Sequence, residues 1–135
     1  MASGERAMLA EAIRGKSDEE ISVFVDGMGG EGFLDMTFEG MKSALKPERA
    51  EDAVVVYELH HRQTTLPYSL VIKNGAAQVD KRLRDDATVT LKMSVPNYLR
   101  LITDQLPILS SVLRRRLRIS GNRRFARRMQ GMFGD

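Results

Sequence analysis

LRISGNRRFARRMQGMF, residues 117–133, decides the fold. Its opening alternates: Leu117 and Ile119 are apolar while Arg116, Arg118 and Ser120 are polar, the period-two pattern of a half-buried strand at 116–120. Gly121 supplies a turn and Asn122 a helix N-cap. The period then becomes helical, with Phe125, Ala126, Met129, Met132 and Phe133 on one apolar stripe. Arg123, Arg124, Arg127, Arg128 and Gln130 take the other face, and Gly134 suits the position just past the helix end. A strand that turns straight into a closing amphipathic helix needs a sheet to join and an apolar surface to cover.

Working outward, residues 87–94 (ATVTLKMS) alternate Ala87, Val89, Leu91 and Met93 against Thr88, Thr90, Lys92 and Ser94. AVVVYELH (53–60) is β-branched and aromatic, and YSLVIK (68–73) meets AAQVDK (76–81) across Asn74-Gly75, a strong hairpin signal. Five strands, at least two of them polar on one side, imply a largely antiparallel sheet with helices on one face and water on the other. The N-terminal third reads as helical: residues 4–14 closed by Gly15, a helix after the Ser17/Glu20 capping box with Ile21, Phe24, Val25 and Met28 on its apolar side, and a third with Leu34, Phe38, Met41 and Leu45 ended by Pro47. A further helix follows Ser94, with Pro96 in its first turn and Leu106 still within it, broken by Pro107; Ile108, Leu109, Val112 and Leu113 form another apolar helical segment.

With 135 residues the chain fits one domain, 1–135, made of a helical leader (1–28) and a core (30–133). No run of about 18 apolar residues occurs, and Glu5, Arg6 and Glu11 interrupt any signal-peptide core. The absence of cysteine excludes a disulfide scaffold and thiolate chemistry and fits a cytoplasmic location. Charge is asymmetric. Residues 1–67 hold seven Lys/Arg against thirteen Asp/Glu, a net −6, and residues 68–135 fourteen against five, a net +9. The basic end points to an anionic partner or to pairing with the acidic half.

Residues 95–133 carry more apolar surface than one small sheet face needs. The excess is either ordinary core or the wall of a cavity for an apolar ligand, and methionine suits such walls because it fills irregular space. Burying about a dozen methylenes gains about 10 kcal/mol at about 0.8 per CH₂. Association costs at least about 4, which leaves affinity of roughly micromolar grade. The last arginines are either a solvated face or a surface for anionic headgroups or an acidic partner. Nucleic acid fits less well, because Phe125 and Phe133 lie on the buried stripe and do not interleave with the arginines. Catalytic signals are poor: His60 and His61 point to opposite faces of a strand, Asp85-Asp86 sits in a hairpin-length loop, and no nucleophile, zinc or phosphate-loop motif occurs.

In this order the motifs resemble the sterol carrier protein type 2 domain family, as found in bacterial single-domain members. YSLVIKNGAAQV resembles its strand–turn–strand, DDATVTLKMS its acidic strand, VPNYLRLITD the following helix and LRRRLRISGNRRFARRM its close. The chain departs from the family pattern at two glycines, replaced around Thr103-Asp104-Gln105 and at Arg115 or Arg116, and at an acidic residue after Gly121, here Asn122. The resemblance implies an α+β fold, a five-stranded sheet with an apolar tunnel under the helices, and binding or transfer of a fatty acyl, sterol-like or other lipid without catalysis, cofactor or metal. The ligand-facing side chains expected are Leu70, Ile72, Val89, Leu91, Leu99, Ile102, Leu109, Phe125, Met129 and Met132, with Arg116, Arg123, Arg124, Arg127 and Arg128 facing an anionic headgroup or partner. Two other readings stay open. One is an accessory module of a lipid, isoprenoid or polyketide pathway that presents its basic C-terminal helix to an acidic protein or a membrane; the other is a tailoring enzyme acting on a hydrophobic substrate. The Phe-Gly-Asp ending is not a peroxisomal signal.

Overall fold

The computed structural model describes residues 3–107, 112 and 114–133. Its elements are α1 (Ser3–Ile13), α2 (Asp18–Gly27), α3 (Glu31–Ser43), a 3-10 turn at Pro47–Arg49, β1 (Ala53–His61), β2 (Thr64–Lys73), β3 (Ala76–Asp80), β4 (Val89–Ser94), α4 (Val95–Ile102), β5 (Arg118–Gly121), α5 (Arg123–Met129) and a 3-10 turn at Gln130–Met132. The strands form one mixed sheet in the order β3-β2-β1-β4-β5. All neighbours are antiparallel except β1 and β4, which run parallel. The architecture is α+β, with a mostly antiparallel sheet, as the sequence implies.

Local chemistry sets most boundaries. The Ser17 hydroxyl accepts from the Glu20 N–H at 3.1 Å while the Glu20 carboxylate accepts from the Ser17 N–H at 2.9 Å, the reciprocal cap that starts α2. Ser94 caps α4 through the Asn97 N–H at 3.2 Å, and Asn122 caps α5 through the Phe125 N–H at 2.9 Å. Asn74 (φ 54) and Gly75 (φ 77) are both left-handed, as a two-residue hairpin turn matching strand twist requires.

The sheet corrects several expectations. Strand β2 begins at Thr64 rather than 68, because a second tight turn at Arg62-Gln63 pairs His61 with Thr64. Asp85-Asp86 is not in a hairpin loop. Strands β3 and β4 are separated by β2 and β1 in the sheet, so residues 81–88 must cross its outer face. Ser69 fastens that crossing: its hydroxyl donates to the Arg82 carbonyl at 2.5 Å and accepts from the Arg84 N–H at 3.4 Å. The outer face is therefore covered over Val56 and Ser69, 2% and 0% exposed, and open only elsewhere. The last strand lies at 118–121, with Leu117 buried just before it.

Helix α4 stops at Ile102, well before Pro107. The Thr103 hydroxyl donates to the Leu99 carbonyl at 2.7 Å, and Asp104 turns the chain at φ 59. Leu45 also falls outside its expected helix, pairing instead as an isolated bridge with Phe133. Met28 is 54% exposed, so the inner side of α2 is Ile21 and Val25. Ile108, Leu109, Leu113 and Gly134 lie outside the described residues.

Helix α3 packs on β2 and β3, α4 on β1 and β4, α5 on β4 and β5, while α1 and α2 cover α4 from outside. Polar bonds tie this outer pair down. Gln105 donates to the Ala10 carbonyl at 3.0 Å, Arg6 to the Ile102 carbonyl at 3.0 Å, and Arg100 to Asp18 at 2.6 Å and to the Lys16 carbonyl at 3.1 Å. Residues of all these elements share one apolar core.

Candidate functional site: the inner face of the sheet

Register arranges the inner face in rows. Val79, Leu70, Val55 and Val89 make one, Tyr68, Tyr57, Leu91 and Ile119 the next, and Leu66, Leu59 and Met93 a third. Ile72 lies between Ala53 and Ala77 beyond the first row. Period-two geometry therefore turns Leu70 and Ile72 inward and Val71 outward.

Of the residues expected to face a ligand, Leu70, Ile72, Val89, Leu91, Leu99, Phe125, Met129 and Met132 are all at most 4% exposed and belong to this one core. Ile102 is half-buried against it. Leu109 lies outside the described residues. They come from β2, β4, α4, α5 and the final turn, so the layer between sheet and helices collects nearly the whole expected set.

Sequence reasoning missed the aromatic block in the middle of that layer. Phe38 of α3 is stacked between Tyr68 (centroids 4.1 Å apart, planes at 14°) and Tyr98 (5.0 Å, 11°), and meets Tyr57 edge-on at 5.1 Å. Each hydroxyl has a partner. Tyr68 donates to Asp35 at 2.6 Å and Tyr57 to the Met41 sulfur at 3.6 Å. Thr37 spends its proton on the Leu34 carbonyl (2.7 Å), so Tyr98 donates to the Thr37 oxygen at 2.8 Å. Burial holds the Tyr57, Tyr98 and Tyr68 phenols above their ordinary range, with Asp35 reinforcing the effect at Tyr68. The signal was available as three tyrosines, two in strand-like runs and one in the helix after Ser94, but only register and helix placement bring them onto Phe38.

The two histidines separate as expected. His60 lies on the outer face near Glu58 (3.3 Å), while the His61 Nε2 meets Asp26 of α2 at 2.7 Å and its Nδ1 is buried with no partner among the described residues. Asp26 also takes Arg62 at 2.8 and 2.9 Å; the hydrogen bond from His61, then those from Arg62, hold its carboxyl below the usual range. Among the described residues no group of three or more His, Asp or Glu is placed to hold a metal ion, and no helix is long and apolar enough to cross a membrane. An open recess of about 400 Å³ lies on the outside, between α1 and α2, lined by Ala12, Lys16, Glu19, Glu20, Ile21, Val23 and Phe24, and contains none of the expected ligand residues.

The arginines divide. Arg128 pairs with Glu51 at 3.0 and 3.1 Å and lies 5.9 Å from the Phe125 ring centroid. Arg116, Arg123, Arg124 and Arg127 are exposed and have no ion-pair partner among the described residues.

A five-stranded mixed sheet in this order, with helices on its inner face and a short amphipathic helix after its edge strand, defines a small α+β class of fold. The chain belongs to the SCP-2 sterol transfer family, whose model matches residues 35–134. Solved structures share the fold. Sterol Carrier Protein 2 from Yarrowia lipolytica, in its apo form, superposes with a TM-score of 0.59 at 19% identity over 71% of this chain and 85% of that one. Sterol Carrier Protein 2 Like 2 from Aedes aegypti gives 0.63 at 14% identity, covering 78% and 100%, and that protein has also been solved palmitated, at 0.57 and 15% over 70% and 87%. The stereoselective inverting sec-alkylsulfatase Pisa1 from Pseudomonas sp. gives 0.69 at 17% over 76% of this chain but only 16% of that much longer one. No curated protein matches the sequence.

Proposed function

We propose that this protein binds a lipid, or another apolar small molecule, between the inner face of its sheet and the helices above it, and carries it without chemical change. The observation that carries the reading is the inner layer itself. Eight of the ten residues expected to meet ligand are there, at most 4% exposed, in a chain of the SCP-2 sterol transfer family. The palmitated form of the Aedes aegypti relative supports a fatty acyl chain as occupant. Leader and core would act as one binding unit, since α1 and α2 are bonded onto α4. The chemistry supports a binder over an enzyme: the inner layer's polar groups are tyrosine and threonine hydroxyls already engaged with one another or with neighbours.

Mass spectrometry of the purified protein, native and then after organic extraction, tests the reading directly; the absence of tryptophan rules out tryptophan quenching. A co-purifying lipid seen in both would name the ligand class. A clean protein mass, with no uptake on challenge with fatty acids, acyl-CoA and sterols, would sink the carrier reading.

A further inference from the structure

We infer that the β5–α5 end of the molecule is a docking surface for a bilayer of anionic phospholipid. Seven arginines there, Arg114, Arg115 and Arg116 before β5, Arg118 on it, and Arg123, Arg124 and Arg127 on α5, are exposed and lack an ion-pair partner among the described residues. Among the described residues most arginines elsewhere are paired, Arg49 excepted. Arg6 pairs with Asp104, Arg62 with Asp26, Lys81 with Glu31, Arg84 with Asp86 and Arg100 with Asp18. Asp18, Asp26 and Glu31 of the acidic half are thus engaged elsewhere in the fold, and no described carboxylate pairs with these seven arginines, so intramolecular neutralisation does not explain the basic end. Self-repulsion is built in as well: Arg118 is the register partner of Lys92 across β4–β5, and like charges directly opposite destabilise a strand pair. An external polyanion removes that cost.

Three features select a membrane over other polyanions. The cations are arginines, whose planar fork binds phosphate oxygens in pairs, and clusters of four to eight basic residues on or beside an amphipathic helix are the pattern that anionic lipid surfaces attract. A half-buried aliphatic side chain, Val112, stands just before the arginines in sequence, offering the interfacial region an apolar contact that a nucleic acid backbone would not use. Phe125, the aromatic residue within this arginine run, is turned into the core at 2% exposure, which leaves no stacking platform for single-stranded nucleic acid. The other side of α5, Phe125, Ala126 and Met129, lies on the candidate ligand layer. A carrier docked here would present that layer's boundary to the bilayer; this last step rests on the proposed lipid-binding role, whereas the docking itself does not.

Vesicle co-sedimentation tests the surface, comparing pure phosphatidylcholine with vesicles holding 30 mol% phosphatidylglycerol. The wild-type chain should partition at least about tenfold more strongly onto the anionic vesicles at 50 mM NaCl and lose most of that preference at 500 mM. The double variant Arg123→Glu/Arg127→Glu should lose the preference, while Lys16→Glu/Lys73→Glu, with the same change in net charge at other exposed sites, should keep it. Hydrogen exchange of the wild-type chain with and without vesicles reads the same surface with no substitution, and protection should concentrate in residues 114–128. Equal binding to both vesicle types, retention by the α5 variant, equal loss in both variants, protection centred on α1 and α2, or tighter binding to duplex DNA or to an acidic protein than to vesicles would each overturn it. Lipid uptake measured on the same variants by native mass spectrometry keeps the two ideas apart: docking fails with uptake intact if only this inference is wrong.

Discussion

A side chain on Gly121 would place its Cβ 2.6 Å from the carbonyl oxygen of Thr88. That carbonyl accepts the Asn122 N–H at 2.9 Å, and the Thr88 hydroxyl accepts the Val54 N–H at 3.0 Å, so β1, β4 and the start of α5 meet at one residue. Gly121 is left-handed as well, at φ 92. Gly121→Ala should cost about 2–4 kcal/mol, from backbone strain plus a clash with main chain that cannot rotate away. Gly131→Ala, where nothing lies within 4 Å, should stay within about 1 kcal/mol of wild type. Urea unfolding followed by far-UV circular dichroism separates the two; equal effects would mean that β5 does not approach Thr88 as closely as described.

Arg115 occupies a left-handed conformation, φ 59, and so does Asp104. Arg115 is one of the two positions, Arg115 or Arg116, and Asp104 lies in the stretch Thr103-Asp104-Gln105, where the family resemblance leads one to expect glycine. Arg115→Gly should raise stability by up to about 1 kcal/mol, because relief of left-handed strain exceeds the added entropy of the unfolded chain. Asp104→Gly should gain less, since it also loses the Arg6 ion pair. A lower urea midpoint for Arg115→Gly would show that the arginine side chain contributes more than its backbone costs.

All three tyrosines of the chain lie in the block around Phe38. Near-ultraviolet circular dichroism between about 275 and 285 nm thus reports this one cluster. Phe38→Ala should cost about 3–5 kcal/mol and collapse the signal. Tyr98→Phe, which removes one hydrogen bond and leaves Thr37 bonded to Leu34, should cost about 1 kcal/mol.

The same burial fixes an alkaline prediction. Neutral phenol is favoured in the folded state, so the stabilisation is complete below the ordinary tyrosine range, near pH 10, and is lost as pH rises toward the elevated folded values. Tyrosinate absorbance at 295 nm should stay flat through pH 10 and then appear together with unfolding. A smooth titration centred near pH 10, with far-UV signal intact, would contradict the packing.

Asp26 behaves with the opposite sign. Its folded value is depressed by His61 and Arg62, so its contribution is present above the ordinary carboxylate value, about 3.9, and fades as pH falls through the lower folded value. The stability gap between wild type and Asp26→Asn should be widest above about pH 5 and close in stronger acid. A gap independent of pH would mean that the carboxylate charge is not what holds α2 to the β1–β2 turn.

Sequence alone determined what neighbouring residues decide among themselves. Capping at Ser17 and Asn122, the Asn74-Gly75 turn, the alternation of β4 and the stripe of α5 are interactions over four residues or fewer, and each is found where its chemistry places it. The apolar members of the candidate site were legible for the same reason, because periodicity says which way Val89, Leu91, Phe125 and Met129 point. Tertiary structure decided what depends on residues far apart in the chain. The parallel pairing of β1 with β4 turned an assumed hairpin loop into a crossing pinned by Ser69; a threonine, not Pro107, ended α4; and register together with α3 gathered Phe38 and the three tyrosines. Charge followed the same division: composition shows a basic end, but which arginines are spent and which are free depended on Glu51 lying beside Arg128 and on no described carboxylate pairing with Arg123, Arg124 or Arg127. Local propensity acts along the chain at fixed spacing, whereas pairing and burial are won between distant segments, and only the folded arrangement states which ones meet.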